Sequence, residues 1–594
     1  MMNPLKKISQ GGRFTLRSCI LLAFITAAVG CAQSPQVVLE DREPEAATGV
    51  MAKNLAVGEQ FMVAAANPHA ANAGKRIIEQ GGSAIDAAIA IQAMLTLVEP
   101  QSSGIGGGGF ILYWDNTAKQ LYTFDGREVA PQKITPDVFI ENGEPMKWRD
   151  AVVGGKAVGV PGILKALEDA HAQFGTLPWS QLFDDSINLS NTGFKVSPRL
   201  ATLIELDLHP GLNEFAQAQA YFKPNGKPLA EGELRKNKKL ASTLTKIAQQ
   251  GTDAFYTGEI ARNIVNAVNE VSINPGKLSG ADLAQYTAIQ RQPMCSSYRV
   301  YEVCSMAPPS SGGVTMMQIL KLLEGFTLSD YAPESLEFAH LFAQASALAF
   351  ADRADYVADL SFMGIDAAPL VDADYLRNRA ATLGTDVGYT EASSGRPYGD
   401  LSYASDDAFE LDSTSHIAIV DKQGNAVSMT SSIEFMFGSG IMVDGFLLNN
   451  QLTDFAINPI KDGVVVLNAA APGKRPRSAM SPTMVFTNDG ELNLIVGSPG
   501  GSRIINYVAQ TIINVLDFNL DIQESIDVAR ITNRNDFTSL EKGTNISQLK
   551  APLEALGHTV RVVDLNSGLH GIQIENGKLL GGADPRREGI AIGK

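Results

Sequence analysis

The sequence predicts an α+β fold of stacked layers, and three observations carry that expectation. Helical patterns dominate from Gly162 to about Asn269 and again from about Val314 to Val357. From Thr414 to the end short strands and turns prevail, with one helical stretch near Asn506 to Val515. Nowhere does the chain alternate strand and helix in the rhythm of parallel βαβ units, so its helices and sheets must cover one another as a layered sandwich rather than form a doubly wound sheet.

Taken in order, Ser83 and the Ala/Ile-rich run to Val98 read as a buried helix, with Asp86 placed as the acidic member of a capping box. The glycine-rich segment from Gly104 to Gly109 follows, then a strand at Phe110-Ile111-Leu112-Tyr113-Trp114. Gly104, Gly106 and Gly109 satisfy GxGxxG, but a dinucleotide fingerprint follows a strand and opens a helix; here a helix precedes the glycines and a strand follows them. After the helical region, Asp386 to Asp412 is rich in Ser, Gly, Asp and Tyr without periodicity and reads as a linker. His416 to Val420 is β-rich, Asp421-Lys422-Gln423-Gly424-Asn425 is turn chemistry, and Ala426 to Thr430 returns as a second strand, so Thr414 stands at the head of a hairpin.

Composition narrows the function. A net charge of -16 and 45% hydrophobic residues suit a soluble globular protein with ample core and argue against nucleic-acid binding. A length of 594 residues suggests several domains. The chain lacks GxSxG and GK[ST] motifs, so neither a serine hydrolase elbow nor a phosphate-binding loop is expected. Its seven histidines show no HExxH spacing and its cysteines no CxxC, so no metal or cofactor is expected. Cys295 and Cys304 bracket a strand-like Tyr298-Arg299-Val300-Tyr301; a disulfide in an oxidising compartment and two partly buried free thiols both fit this spacing.

Lys6, Lys7, Arg13 and Arg17 precede a short apolar run from Cys19 to Gly30, a signal-peptide layout too short for a spanning helix. Ala28-Val29-Gly30-Cys31 resembles a bacterial lipobox, which implies lipidation of Cys31, membrane attachment through it and a periplasmic or cell-envelope location, with plain secretion as the alternative. Residues 1–30 are then the signal peptide and 31–58 a lipidated or flexible tether.

A threonine opening a strand is ordinarily structural, because β-branched residues favour strands. The chemical alternative is that the chain is cut before Thr414, so that one residue supplies both a nucleophilic hydroxyl and an α-amine with a pKa of about 7.7 to 8.0 as its base. Longer strings decide between the two. TSHIAIVDKQGNAVSMTSS, FGSGIMV, LLNNQLTDFA, KRPRSAMSPT, VGSPGGSRI and GADPRREG, preceded by SSGIGGGGFILYWD, FDGREVAP, AVGVPG, GTDAFYTGEIA and PPSSGGV, resemble the γ-glutamyltranspeptidases over roughly residues 60 to 594.

That resemblance implies a four-layer αββα sandwich of the N-terminal nucleophile hydrolase type, one composite domain built from two autoprocessed chains: a large subunit, 59–413, and a small subunit, 414–594, held as a heterodimer. It implies a γ-glutamyltransferase that cleaves glutathione and other γ-glutamyl amides through an ester on Thr414 and passes the acyl group to water, amino acids or dipeptides. Gly500 and Gly501 resemble the paired glycines whose N–H groups face the oxyanion, and Ser432 stands at the site of a second hydroxyl that orients the nucleophile. Arg127 matches the arginine that binds the α-carboxylate, as its planar fork suits. Asp454 matches the aspartate that receives the α-ammonium, Gln451 and Glu434 match further groups around it, and Ser478 matches the first of two serines on the carboxylate. The second serine is replaced by Ala479, which implies weaker glutamyl affinity, and threonine is the commoner residue at Ser432. From Phe455 to Lys474 no aromatic follows Phe455, so the expected pocket is open, without an aromatic latch. Two alternatives compete: an acylase of the same fold acting on glutaryl-type amides, against which a buried Asp454 argues, and a non-catalytic periplasmic binding lipoprotein, which would stay uncut.

Overall fold

The computed structural model describes residues 51–401, 403–408, 410 and 413–594. The signal-peptide and Cys31 expectations therefore lie outside the described residues, as does most of the expected tether. The tether's last residues, Ala56–Gly58, are already an edge strand paired with Lys578–Ala583.

Two seven-stranded antiparallel sheets stack face to face. One runs, edge to edge, through Ile590–Gly593, Met62–Ala65, Ser415–Val420, Ala426–Ser432, Gly108–Asp115, Gln120–Asp125 and Ile289–Arg291. The other runs through Ala56–Gly58, Lys578–Ala583, His570–Glu575, Leu492–Gly497, Thr483–Thr487, Tyr301–Ser305 and Met294–Tyr298. Strand alternation sorts the core into two clusters. Val63, Ile111, Tyr113, Ile417, Ile419, Val427 and Met429 pack against the helices Pro68–Glu79, Ala84–Val98 and Ile163–Phe174. Their neighbours Met62, Ala64, Phe110, Leu112, Ala418 and Val420 face the second sheet, whose far side is covered by Ser311–Leu323, Leu336–Tyr356 and Ile504–Leu516. The order is helix, sheet, sheet, helix, the layered α+β sandwich the patterns predict.

The elements around Thr414 follow the sequence closely. Ser83 caps Ala84–Val98 in a reciprocal capping box with Asp86, and all fifteen helical residues are buried, which is why the run is Ala- and Ile-rich. The glycine segment after it turns directly into Gly108–Asp115, and a Cβ on Gly107 would lie 2.0 Å from the Ser432 carbonyl oxygen, a backbone approach only glycine permits. Cys295 and Cys304 face each other in register on adjacent strands and are joined by a disulfide. Among the described residues no helix is long and apolar enough to cross a membrane.

Candidate active site

Hairpin register places the candidate nucleophile. Ser415 pairs with Ser431, so Thr414 and Ser432 come together at the open end of the hairpin although eighteen residues apart. The chain is continuous through Ser413-Thr414, and both hydroxyls converge on the carbonyl that joins them: Thr414 Oγ1 and Ser432 Oγ each donate to Ser413 O at 2.7 Å, with 3.2 Å between the hydroxyl oxygens. Glu434 N donates to Ser432 Oγ at 2.8 Å, and Ser413 Oγ donates to Gln101 O, fixing the residue before Thr414. Arg587 Nη1 donates to Thr414 O at 3.4 Å.

A narrow pocket opens beside this peptide, lined by Arg127, Thr414, Ser432, Glu434, Gln451, Asp454, Ser478 and Gly501 together with Glu410 and Ala479. Every residue expected in the site thus reaches one cavity except Gly500, which precedes Gly501 in the same turn. Arg127 is fully buried; its Nη2 donates to Asp454 Oδ2 at 2.5 Å and to Arg477 O at 2.6 Å, and its Nε to Pro476 O at 3.1 Å. Gln451 Nε2 donates to Glu434 Oε2 at 2.8 Å and to Asp454 Oδ2 at 2.9 Å. What lacks a hydrogen bond is informative: Arg127 Nη1, which has only Glu128 Oε2 at 3.6 Å, and Asp454 Oδ1, Glu434 Oε1 and Gln451 Oε1 are buried without hydrogen-bond partners. Leaving buried polar atoms unpaired is costly, so such a set marks a place prepared for a ligand carrying both an acceptor anion and donor N–H groups.

Electrostatics sharpen this reading. Burial pushes the Asp454 carboxyl up to about 6, against the pull of Arg127. Burial, then repulsion from Asp454, raises Glu434 well above the carboxylate range. Glu434 is held at a φ of +75°, a left-handed conformation unusual for a side-chain-bearing residue and characteristic of functional sites.

The turn Ser498-Pro499-Gly500-Gly501 joins the strand Leu492–Gly497 to the helical segment that continues into Ile504–Leu516. Gly500 and Gly501 have φ of +132° and +52°, and a Cβ on Gly500 would meet the Tyr507 ring at 2.7 Å. Their N–H groups lie at the start of that helical segment, where backbone donors are free of intrahelical bonds. Ser478 Oγ accepts from Met480 N at 3.2 Å, while Ala479 presents only a methyl group to the cavity. From Phe455 the chain enters the hairpin Ile460–Lys461 and Val464–Val465, whose Ile460, Val464 and Val465 are exposed, and it closes through Ala456 N donating to Asn468 O.

Sequence reasoning missed a buried charge cluster behind the pocket. Glu410, in the expected linker, pairs with Arg353 on the helix Leu336–Tyr356 and with Arg477 Nε at 3.3 Å; Arg477 also holds Asp406 at 2.9 Å. Burial opposes ionisation of Glu410, but Arg353 and Arg477 outweigh it and hold the carboxyl below its ordinary range. Only the basic string around Ser478 hinted at such a partner. Glu128 is likewise buried; its oxygens make no hydrogen bond, Oε2 lies 3.6 Å from Arg127 Nη1, and burial raises it to about 8.

Comparison with known proteins agrees with this geometry. Residues 70–594 match the family model for gamma-glutamyltranspeptidase. The glutathione hydrolase proenzyme of Bacillus subtilis (strain 168) is 38% identical over 556 residues, spanning 91% of this chain and 92% of that protein. That of Escherichia coli (strain K12) is 35% identical over 538 residues, spanning 89% and 90%. Among solved structures, the cephalosporin acylase from Bacillus halodurans superposes with a TM-score of 0.80 at 27% identity, covering 91% of this chain and 97% of that one. The architecture is the four-layer αββα sandwich of the N-terminal nucleophile hydrolases. With a family model spanning nearly all of the described residues and a threonine hydroxyl poised on its own peptide carbonyl, the chain belongs to the γ-glutamyltranspeptidase family.

Proposed function

We propose that this protein is a self-processing γ-glutamyltransferase and glutathione hydrolase, with Thr414 as its nucleophile. The observation that carries the reading is the set of buried polar atoms without hydrogen bonds around the pocket: one cationic donor, Arg127 Nη1, held only by a 3.6 Å ion pair with Glu128 Oε2, and the acceptors Asp454 Oδ1, Glu434 Oε1 and Gln451 Oε1. A free α-amino acid head, carboxylate and ammonium on one carbon, satisfies both sides at once.

In the uncut chain the Thr414 hydroxyl attacks the Ser413 carbonyl, which Ser432 polarises by donating to its oxygen. An N-to-O acyl shift gives an ester that water hydrolyses, leaving a large subunit, 59–413, and a small subunit, 414–594, whose terminal amine serves as base. In turnover the Thr414 oxygen attacks a γ-glutamyl amide. The N–H groups of Gly500 and Gly501 face the oxyanion, the amine departs with a proton, and water or an acceptor amine resolves the γ-glutamyl ester. Arg127 and Ser478 hold the α-carboxylate; Asp454, Gln451 and Glu434 receive the α-ammonium. The relatives, glutathione hydrolase proenzymes of bacteria, support this class of substrate and a processed precursor. The signal layout supports export to the bacterial envelope, with Cys31 as a lipid anchor.

A second reading, an acylase of glutaryl-type amides, draws on Ala479 in the pocket wall and on the likeness to a cephalosporin acylase. Comparing γ-glutamyl-p-nitroanilide with glutaryl-p-nitroanilide separates them: the proposed function requires the glutamyl compound to turn over faster, and a preference for glutaryl overturns it.

Two further results are expected. Ala479→Ser adds one neutral donor beside Ser478, worth about 0.5 to 1.5 kcal/mol, so the donor KM falls roughly 2- to 10-fold in steady-state assays. Asp454, raised to about 6, is a carboxylate above that pH and neutral below it, so the charge that receives the ammonium disappears on acidification. The donor KM therefore rises as pH falls through about 6 and is flat above it; a KM independent of pH between 5 and 7 contradicts the assignment.

A further inference from the structure

Glu410 lines the substrate pocket yet belongs to the segment that ends at the Ser413-Thr414 peptide. Its Oε1 is held by Arg353 and Arg477, while its Oε2 is buried and unpartnered. Behind it the two arginines are almost fully buried and their guanidinium groups meet on that one oxygen, while Arg477 Nη1 also donates to the Arg353 backbone carbonyl at 3.2 Å. Asp406, the other carboxylate of the cluster, is anchored apart from Glu410: its N donates to Ala354 O, and its side chain accepts from Asn468 Nδ2 at 2.8 Å and pairs with Arg477.

Scission changes this balance. Hydrolysis of the ester consumes one water, restores the Thr414 hydroxyl and leaves a free α-amine on Thr414 and a new carboxylate on Ser413; with the amine neutral, as its role as base requires, the added charge is that carboxylate, beside a wall that already holds Glu410 and Asp454. Like charges in a buried site repel strongly. Withdrawal of the cut end as far back as Glu410 relieves that repulsion and leaves Arg353, Arg477 and Asp406, a cluster with one positive charge in excess. Burial, then repulsion from Arg477, already lowers the Arg353 guanidinium to about 10 even with Glu410 in place. A buried cation stripped of its counter-ion is costly until another anion arrives.

We infer that Arg353 and Arg477 form a second anion subsite of the mature enzyme, which Glu410 fills in the uncut chain and the α-carboxylate of the γ-glutamyl donor fills after scission. Arg127 spends Nη2 and Nε on Asp454 and on two backbone carbonyls, and its Nη1, without a hydrogen bond, is shared with Glu128 Oε2 at 3.6 Å, so it offers the substrate at most one donor. With Ala479 contributing no hydroxyl, the second carboxylate oxygen needs another partner, and the arginines behind Glu410 supply it. This inference rests on the self-processing reading above.

The test compares processed wild type, Arg353→Gln and Arg353→Lys on γ-glutamyl-p-nitroanilide and on 4-aminobutyryl-p-nitroanilide, which lacks only the α-carboxylate. Arg353→Gln should lower kcat/KM for the glutamyl donor by about 10- to 100-fold, chiefly through KM, as expected for a lost charged hydrogen bond. The carboxylate-free donor should change at least tenfold less, and Arg353→Lys should recover part of the loss. Equal losses on both donors, or no loss on either, overturn the subsite. Should Arg353→Gln remain uncut, a crystal structure of processed wild type with L-glutamate decides. An α-carboxylate within hydrogen-bond distance of Arg353 or Arg477 supports the inference, and Glu410 still lodged between them overturns it. Failure of wild type to cut itself or to turn over the glutamyl anilide strikes the proposed function instead.

Discussion

Thr414→Ala is expected to leave the chain as one polypeptide without γ-glutamyl hydrolysis, whereas wild type separates into two. The substitution removes the only hydroxyl that both touches the Ser413 carbonyl at 2.7 Å and belongs to the residue whose amine scission exposes. Ser432 donates to the same oxygen and so polarises the carbonyl, but it does not belong to the peptide that is cut. Loss of nucleophile and base together should lower the rate by about 10⁴-fold or more, as for catalytic groups that act as a unit. Thr414→Ser keeps the hydroxyl and should still be cut, more slowly. Denaturing electrophoresis of the three proteins reads this directly; two chains in the Thr414→Ala sample would remove Thr414 from the mechanism.

Asp454→Asn is the second large effect. Asp454 is 1% exposed, pairs with Arg127 and has Oδ1 without a hydrogen-bond partner, so the amide removes at once the charge that pairs with Arg127 and the charge that receives the ammonium. Breaking a buried pair from one side costs about 3 to 5 kcal/mol, which corresponds to a loss of roughly 10²- to 5 × 10³-fold in kcat/KM for γ-glutamyl-p-nitroanilide. Glutaryl-p-nitroanilide carries no ammonium, and a carboxylate facing it is a burden. Its kcat/KM relative to the glutamyl compound should therefore rise in the variant. An unchanged ratio would show that Asp454 does not recognise the amino group.

Much of this arrangement was legible in the chain because it is local. The capping box at Ser83 and Asp86, the hairpin from Ser415 to Ser432 and the glycines before Gly108–Asp115 are each set by neighbours in sequence, and each forms as the pattern predicts. The pocket residues were found through motif resemblance, since nothing in the spacing of Arg127 and Asp454, 327 residues apart, announces that they meet. Glu410 was not legible: it lies in an aperiodic polar segment, and its partners Arg353 and Arg477 are 57 and 67 residues away. Arg353 reads in sequence as a basic residue in the last turn of a helix, a common and bland placement. The pairing of Cys295 with Cys304 depended on hairpin register, which composition leaves open and the strands Met294–Tyr298 and Tyr301–Ser305 settle. The short helices Ile522–Asp527 and Lys550–Ala555 escaped notice because six residues carry too little periodicity to stand out among strands.

The central claim, that Thr414 becomes a chain terminus which carries the acyl group, is tested most directly by intact-mass analysis of wild type quenched in acid during turnover of a γ-glutamyl donor. The account predicts a fragment of residues 414–594 accompanied by the same fragment heavier by one glutamyl residue, the added mass mapping to Thr414. A full-length chain that hydrolyses the donor, or a glutamyl adduct on any other residue, would contradict it.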